Sequence, residues 1–215
     1  MDIKIPYTPR KHQAYLHNQI SKNRWSVLVC HRRFGKTVCM INHLIRSALT
    51  SKNKNPRYAY ISPTFKQSKA IAWDYMKQFT AKIPFTKFNE TELRVDLPNG
   101  SRITLLGSEN SDSLRGIYLD GCVIDEYANV NDKLFPEIIR PALSDRKGYC
   151  VFIGTPQGMN NNFYELYQHA QGADDWFHYK AKASQTKIVD EEELTKAKEV
   201  MGEKKFLQEF ECDWI

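Results

Sequence analysis

Cys30-His31-Arg32-Arg33-Phe34-Gly35-Lys36-Thr37 is the stretch on which the fold turns. An apolar run, Trp25-Ser26-Val27-Leu28-Val29, precedes it, and a helix-period segment, Val38-Cys39-Met40-Ile41-Asn42-His43-Leu44-Ile45, follows. Strand, tight loop ending in Gly-Lys-Thr, then helix is the context a phosphate-binding loop requires. Such a loop sets backbone N–H groups and a helix N-terminus against a polyphosphate. Lys36 would carry a point charge to the outer phosphates, and the Thr37 hydroxyl would ligate Mg²⁺. The usual loop opens with glycine. Here Cys30 stands in that place.

Outward from the loop, apolar β-type runs alternate with helical patterns, the signature of an α/β sheet with helices on its faces. Parallel strands are expected at 25–30, 58–61, 121–125, 149–153 and 176–183, and helices at 36–50, 66–79, 132–139 and 163–171. Short, nearly continuous apolar runs such as Cys150-Val151-Phe152-Ile153 fit strands buried on both faces. Between the second and third of these strands, two alternating segments flank Pro98-Asn99-Gly100. They read as an antiparallel hairpin with an Asn-Gly turn beside the parallel sheet. The tail is charged and helix-periodic over 190–200 and 203–210, which reads as a small helical lid. The expected organisation is a core over 1–184 and a lid over 185–215.

The chain's 215 residues suffice for one such core with a small appendage. Hydrophobic residues make up 41% and charged residues 26%, within the globular range. The net charge of +6 is compatible with a polyanionic partner. Five cysteines, an odd number with no C-x-x-C pair, read as reduced, buried small hydrophobes rather than a zinc or disulfide frame. The N-terminus has no signal-type apolar region, and no apolar run is long enough to span a bilayer, so the chain reads as intracellular.

Further motifs carry chemistry. Gly121-Cys122-Val123-Ile124-Asp125-Glu126 is an apolar strand that delivers two carboxylates to the sheet rim, as a Walker B element does. Asp125 would anchor Mg²⁺, partly through water, and Glu126 would orient and deprotonate the attacking water. Arg32 and Arg33 are either solvated or aimed at a γ-phosphate, and Arg32 is the better placed of the two for planar contact. Thr155, in Gly154-Thr155-Pro156, is either part of a strand-ending turn or a sensor of the phosphates. Arg115, in Leu114-Arg115-Gly116, is either a solvated loop arginine or a finger reaching a neighbouring subunit's γ-phosphate. Gln13, upstream of the loop, is either a surface residue at a helix start or a reader of adenine through its amide.

These elements, in this order, resemble the ATPase domain of the large terminase subunit of tailed bacteriophages. The resemblance covers nearly the whole chain. It matches Gln13 to an upstream glutamine motif, and Cys30 and Arg32 to a variant phosphate loop that opens with a small residue and carries arginine. It matches Asp125-Glu126 to the Walker B pair, Gly154-Thr155-Pro156 to a coupling motif and Leu114-Arg115-Gly116 to a trans-acting finger. Ile61-Ser62-Pro63-Thr64-Phe65-Lys66-Gln67-Ser68 is also similar to a segment of that family. The resemblance implies an ASCE-type P-loop ATPase fold, with Cys30 through Thr37 around ATP and Mg²⁺. It further implies translocation of double-stranded DNA, a pentameric ring on the capsid portal, a small terminase subunit as partner, and the host cytoplasm as the place of work. A nuclease domain normally follows in that family. No later acidic cluster able to hold two metals is present in this sequence, so nuclease activity is not expected here. Two rival readings are a superfamily-two-like helicase or remodeller, for which a second RecA-like domain would be needed, and a nucleotide-dependent assembly module that does not turn over.

Overall fold

The computed structural model describes residues 2–215. The chain runs α1 (Lys11–Lys22), β1 (Trp25–Cys30), α2 (Lys36–Thr50), β2 (Arg57–Ser62), α3 (Phe65–Ser68), α4 (Asp74–Thr80), β3 (Lys87–Asn89), β4 (Arg94–Asp96) and β5 (Arg102–Gly107). It continues through β6 (Gly121–Asp125), α5 (Arg140–Ala142), β7 (Tyr149–Gly154), α6 (Asn162–Gln171), β8 (Trp176–Ala181), α7 (Ala183–Thr186), α8 (Glu191–Met201) and α9 (Glu203–Phe210). The strands form one sheet in the order β3-β4-β5-β2-β6-β7-β1-β8, parallel from β5 to β8 and antiparallel at the β3-β4 edge. The fold is therefore α/β, with a mainly parallel sheet flanked by helices.

Period-two packing builds two cores, one on each face of the sheet. Along β1, Leu28 and Cys30 join the α1/α2/α4 layer, while Trp25, Val27 and Val29 join the layer beneath α6. Each fully buried aliphatic side chain of this kind contributes about 1.5–3 kcal/mol relative to exposure. Burial on both faces explains why β1, β6 and β7 read as continuous apolar runs rather than alternating ones.

The expected strands at 25–30 and 121–125 match in full, and 58–61 and 149–153 extend by a residue or two. The strand expected over 176–183 stops at Ala181, because Ala183 opens α7; the boundary expected at 184/185 thus falls inside α7. The hairpin is not merely a flank: its second strand, β5, pairs parallel with β2 and is a full member of the central sheet. Its turn is a three-residue loop, in which Gly100 N–H donates to Leu97 O at 3.1 Å and Gly100 takes the left-handed conformation. Asn99 instead sends its amide to Ala48 O at 2.8 Å, tying the hairpin to α2. Two expected α-helices widen into π-helical turns, at Lys69–Trp73 and Leu134–Ile139. The second contains Pro136 and leads into Pro141, whose missing N–H cannot close an α-turn onto Glu137. All five cysteines are free and buried. Among the described residues, no helix is long and apolar enough to cross a membrane.

A buried polar cluster joins α1 to α2. His17 Nδ1 lies 2.9 Å from His43 Nδ1, the rings are stacked, and Tyr7 Oη lies 2.8 Å from His17 Nε2. Burial, with Arg46 opposing further positive charge, pushes His17 down to about 4 and His43 down to about 3. Both rings are free to protonate near 6.5 once unfolded. Between pH 6.5 and 4 the unfolded chain therefore binds more protons, so this contribution is complete above 6.5 and is lost as pH falls. The unfolding free energy measured in urea is expected to drop across that window by an amount on the order of 3 kcal/mol from His17 alone. A His17→Gln variant should show a flatter pH dependence than the wild type.

Candidate functional site

The carboxyl ends of β1, β7 and β6 lie side by side, and a ligand crevice forms at such a rim in parallel α/β sheets. The insertion of β7 between β1 and β6 brings Thr155, just past β7, between the loop after β1 and the carboxylates after β6. A polar cavity of about 370 Å³ sits there, lined by Arg32, Lys36, Glu126, Asn129, Thr155, Gln157 and Glu209.

The loop itself is built around two left-handed residues. Gly35, the N-cap of α2, has φ +88°, and Arg33 has φ +70°. Cys30 is not in this region, so its Cβ costs nothing, and its buried side chain packs in the core. Burial pushes the Cys30 thiol well above its ordinary value, so the thiol stays protonated. The protein satisfies the loop's early backbone groups. His31 N–H donates to Ala181 O at 3.1 Å, Arg32 N–H to Glu209 O at 2.8 Å, and Phe34 N–H to His31 O at 3.2 Å. His31 is buried and held neutral by desolvation; its Nδ1–H donates to Arg32 O at 2.7 Å, and Nε2 accepts from the Thr186 hydroxyl at 2.7 Å. Phe34 is buried edge-on against His31. The N–H groups of Gly35, Lys36, Thr37 and Val38, by contrast, find no acceptor among the described residues. The positive end of α2 is left open beside Lys36.

The sequence-derived residues therefore divide. Arg32, Lys36, Glu126 and Thr155 meet around the cavity. The side chains of Cys30, His31 and Phe34 do not; they are wholly buried beneath the loop, since an apolar or internally bonded group gains more from the core. Arg33 is exposed on the loop's outer turn. Gln13 is not a surface residue. It is buried, accepts Arg10 N–H on Oε1 at 2.9 Å and donates from Nε2 to Gly35 O at 3.2 Å, so its amide braces the loop. Arg115 is absent from the cavity wall; its guanidinium reaches Asp112 at 3.2 Å and Glu137 at 3.4 Å. Thr155 donates to Cys30 O at 3.2 Å, linking the ends of β7 and β1.

Asp125 is buried. One carboxylate oxygen accepts Glu126 N–H at 2.8 Å, and the other accepts the hydroxyl of Tyr60, a residue of β2. Glu126 is itself left-handed, at φ +49°, which turns its carboxylate out of the strand direction into the cavity. Burial raises the Glu126 carboxyl above its ordinary value, the Asp125 charge adds to that, and Lys36 opposes it. None of the sequence motifs points to Tyr60 or Glu209. A tyrosine hydroxyl on a strand buried on both faces needs a polar partner, which is the one signal for Tyr60. Glu209 reaches the site only through tertiary packing: its carboxylate lies 4.0 Å from Arg32 and 2.9 Å from Lys205.

A profile of the family described as "Terminase large subunit, T4likevirus-type, N-terminal" matches residues 29–214. The chain belongs to the terminase large subunit family. Curated terminase large subunits include that of Escherichia phage T5, 25% identical over 217 residues, which cover 96% of this chain and 48% of the relative. That of Thermus phage G20c is 25% identical over 182 residues, 76% of this chain and 36% of the relative. The chain thus spans about half or less of the length of these terminase relatives. Among solved structures, the large terminase ATPase domain of Thermus phage P74-26 superposes with a TM-score of 0.83 at 21% identity, covering 98% of this chain and 96% of that one. A large terminase from a thermophilic bacteriophage, solved in complex with ADP, superposes with a TM-score of 0.82 at 16% identity, covering 95% of this chain and 53% of that one. These likenesses show a shared fold.

The loop geometry has a direct consequence. Restoring the generic motif with Cys30→Gly is expected to lower stability by about 1–3 kcal/mol, because it empties a packed site and frees a strand end that needs no glycine. Arg33→Gly, at the residue that does occupy the left-handed region, should leave the urea midpoint unchanged or raise it.

Proposed function

We propose that this domain is a Mg²⁺-dependent ATPase that powers translocation of double-stranded viral DNA into a procapsid. One observation carries the reading: the unsatisfied N–H groups at the head of α2 and the Lys36 ammonium share a cavity rim with Glu126, over a buried Asp125. An open helix N-terminus with a lysine fits a polyphosphate. Each Asp125 oxygen has one protein donor and keeps acceptor capacity, so Asp125 and the Thr37 hydroxyl fit a hard divalent cation. Mg²⁺ held there supplies charge neutralisation for the phosphates.

The chain's own groups do the rest. Backbone N–H groups of the loop and Lys36 hold the β- and γ-phosphates, and Arg32 meets the γ-phosphate in place of Glu209. Glu126 accepts a proton from the attacking water; its raised carboxyl suits that task. Thr155, bonded to the backbone at Cys30, relays the state of the loop to the strand beyond. Gln13, bonded to Gly35, makes the loop responsive to what lies on its α1 side. Arg115, exposed and held among the described residues by Asp112 and Glu137, is free to serve a neighbouring subunit. The full assembly is read as a pentameric ring on the capsid portal, working in the host cytoplasm with a small terminase subunit and a C-terminal nuclease domain. The ATPase core is read as residues 1–184 and the lid as 185–215, the division passing through α7. That lid reaches the cavity through Glu209 and through Gln208, whose amide bonds Gln157 at 3.2 Å.

Glu126→Gln is expected to cut ATP turnover about 10²–10⁴-fold with nucleotide binding retained. Wild-type turnover in that variant would refute the mechanism. In the wild type, the rate should fall as pH drops through the raised Glu126 value, placing the acid limb above the ordinary carboxylate value of 4.5. ATPase specific activity should rise with protein concentration, and Arg115→Ala should abolish that rise while leaving nucleotide affinity intact.

A further inference from the structure

Tyr60 is wholly buried on β2, and its hydroxyl donates to Asp125 Oδ2. The phenol thus bonds directly to one of the two groups read above as the cation's holders. Packing alone does not account for it. Tyr60 sits in the apolar layer under α2, where a phenylalanine would fill the same volume without burying a hydroxyl. Tyr58, two residues earlier on the same face of β2, offers a contrast: its hydroxyl donates to the Ser47 carbonyl at 3.3 Å, away from the cavity.

We propose that Tyr60 is a positioning residue for the divalent cation, clamping Asp125 through Oδ2 so that its carboxylate keeps one orientation with lone pairs left for the cation. The clamp is two-sided, since Glu126 N–H holds Oδ1. A carboxylate fixed at both oxygens has lost its rotational freedom before the metal arrives, and outer partners of this kind are worth about 10–100-fold in metal affinity. The inference rests on the reading of Asp125 as a cation holder.

The test is binding of a fluorescent, non-hydrolysable ATP analogue to the whole chain, titrated with Mg²⁺. Tyr60→Phe is expected to raise the half-saturating Mg²⁺ concentration about 10-fold or more with affinity in EDTA unchanged, and to lower the melting temperature, because the buried Asp125 Oδ2 loses its donor. Tyr58→Phe should follow the wild type. A Tyr60→Phe curve that overlays the wild type, or an equal shift in Tyr58→Phe, would overturn the proposal. Asp125→Asn, run alongside, separates the two readings: if it leaves the Mg²⁺ curve unmoved, the assignment of Asp125 fails whatever Tyr60 does. Should Tyr60→Phe not fold, the wild-type chain labelled with fluorotyrosine supplies the second measurement. Adding Mg²⁺ to the analogue-bound protein should shift the Tyr60 ¹⁹F resonance and leave that of Tyr58 in place; no shift at Tyr60 would overturn the proposal.

Discussion

The N–H groups at the head of α2 have no acceptor among the described residues, and much of the surrounding structure serves to hold them that way. An unpaired helix N-terminus costs free energy unless a ligand or solvent meets it. The loop before it is correspondingly over-determined. His31, Arg32 and Phe34 commit their N–H groups to β8, α9 and the loop itself, and Gln13 and Arg10 draw the carbonyls of Gly35 and Phe34 toward α1. What remains uncommitted is the set at the head of α2, beside Lys36. The placement of Lys36 and Arg32 at the cavity follows from the same division, because the apolar members of the loop, Cys30 and Phe34, have gone to the core.

The carboxylate side of the cavity obeys a complementary constraint. Burying Asp125 without donors would cost several kcal/mol. The Tyr60 hydroxyl and the Glu126 amide offset this, and both also fix the carboxylate in one rotamer. Glu126 then inherits a neighbour of like charge and a partly desolvated position, which raises its carboxyl toward the range of a useful base. The left-handed backbone at Glu126 is the strained feature that lets adjacent residues point in different directions, one into the sheet edge and one into the cavity.

Several features are legible in the residues alone. Hydrophobic periodicity locates β1, β6 and β7, and Gly-Lys-Thr with Asp125-Glu126 locates the rim where they end. Local patterns suffice because strand burial and loop conformation are decided within a few residues. Alternation around Asn99-Gly100 marks a hairpin but not the source of a sixth parallel strand, since pairing of β5 with β2 joins segments some 40 residues apart. The helix over 66–79 is visible without its π-helical turn, which the periodicity of a short segment does not encode. Gln13 reads as a helix-start residue, yet its burial depends on where α1 lies against the loop.

Side-chain chemistry at fixed spacing is enough to give the fold class and the family pattern and to place Gly-Lys-Thr at the head of α2 and Asp125-Glu126 at the end of β6, because all of these are one-dimensional properties of the chain. Packing chose the rest: Cys30 as a core residue while Arg33 takes the left-handed turn, Tyr60 as the clamp on Asp125, Glu209 as the competitor for Arg32, and Arg115 apart from its own chain's cavity. Each of those depends on contacts between elements distant in the chain, and sheet order and helix docking select them after local preferences are satisfied.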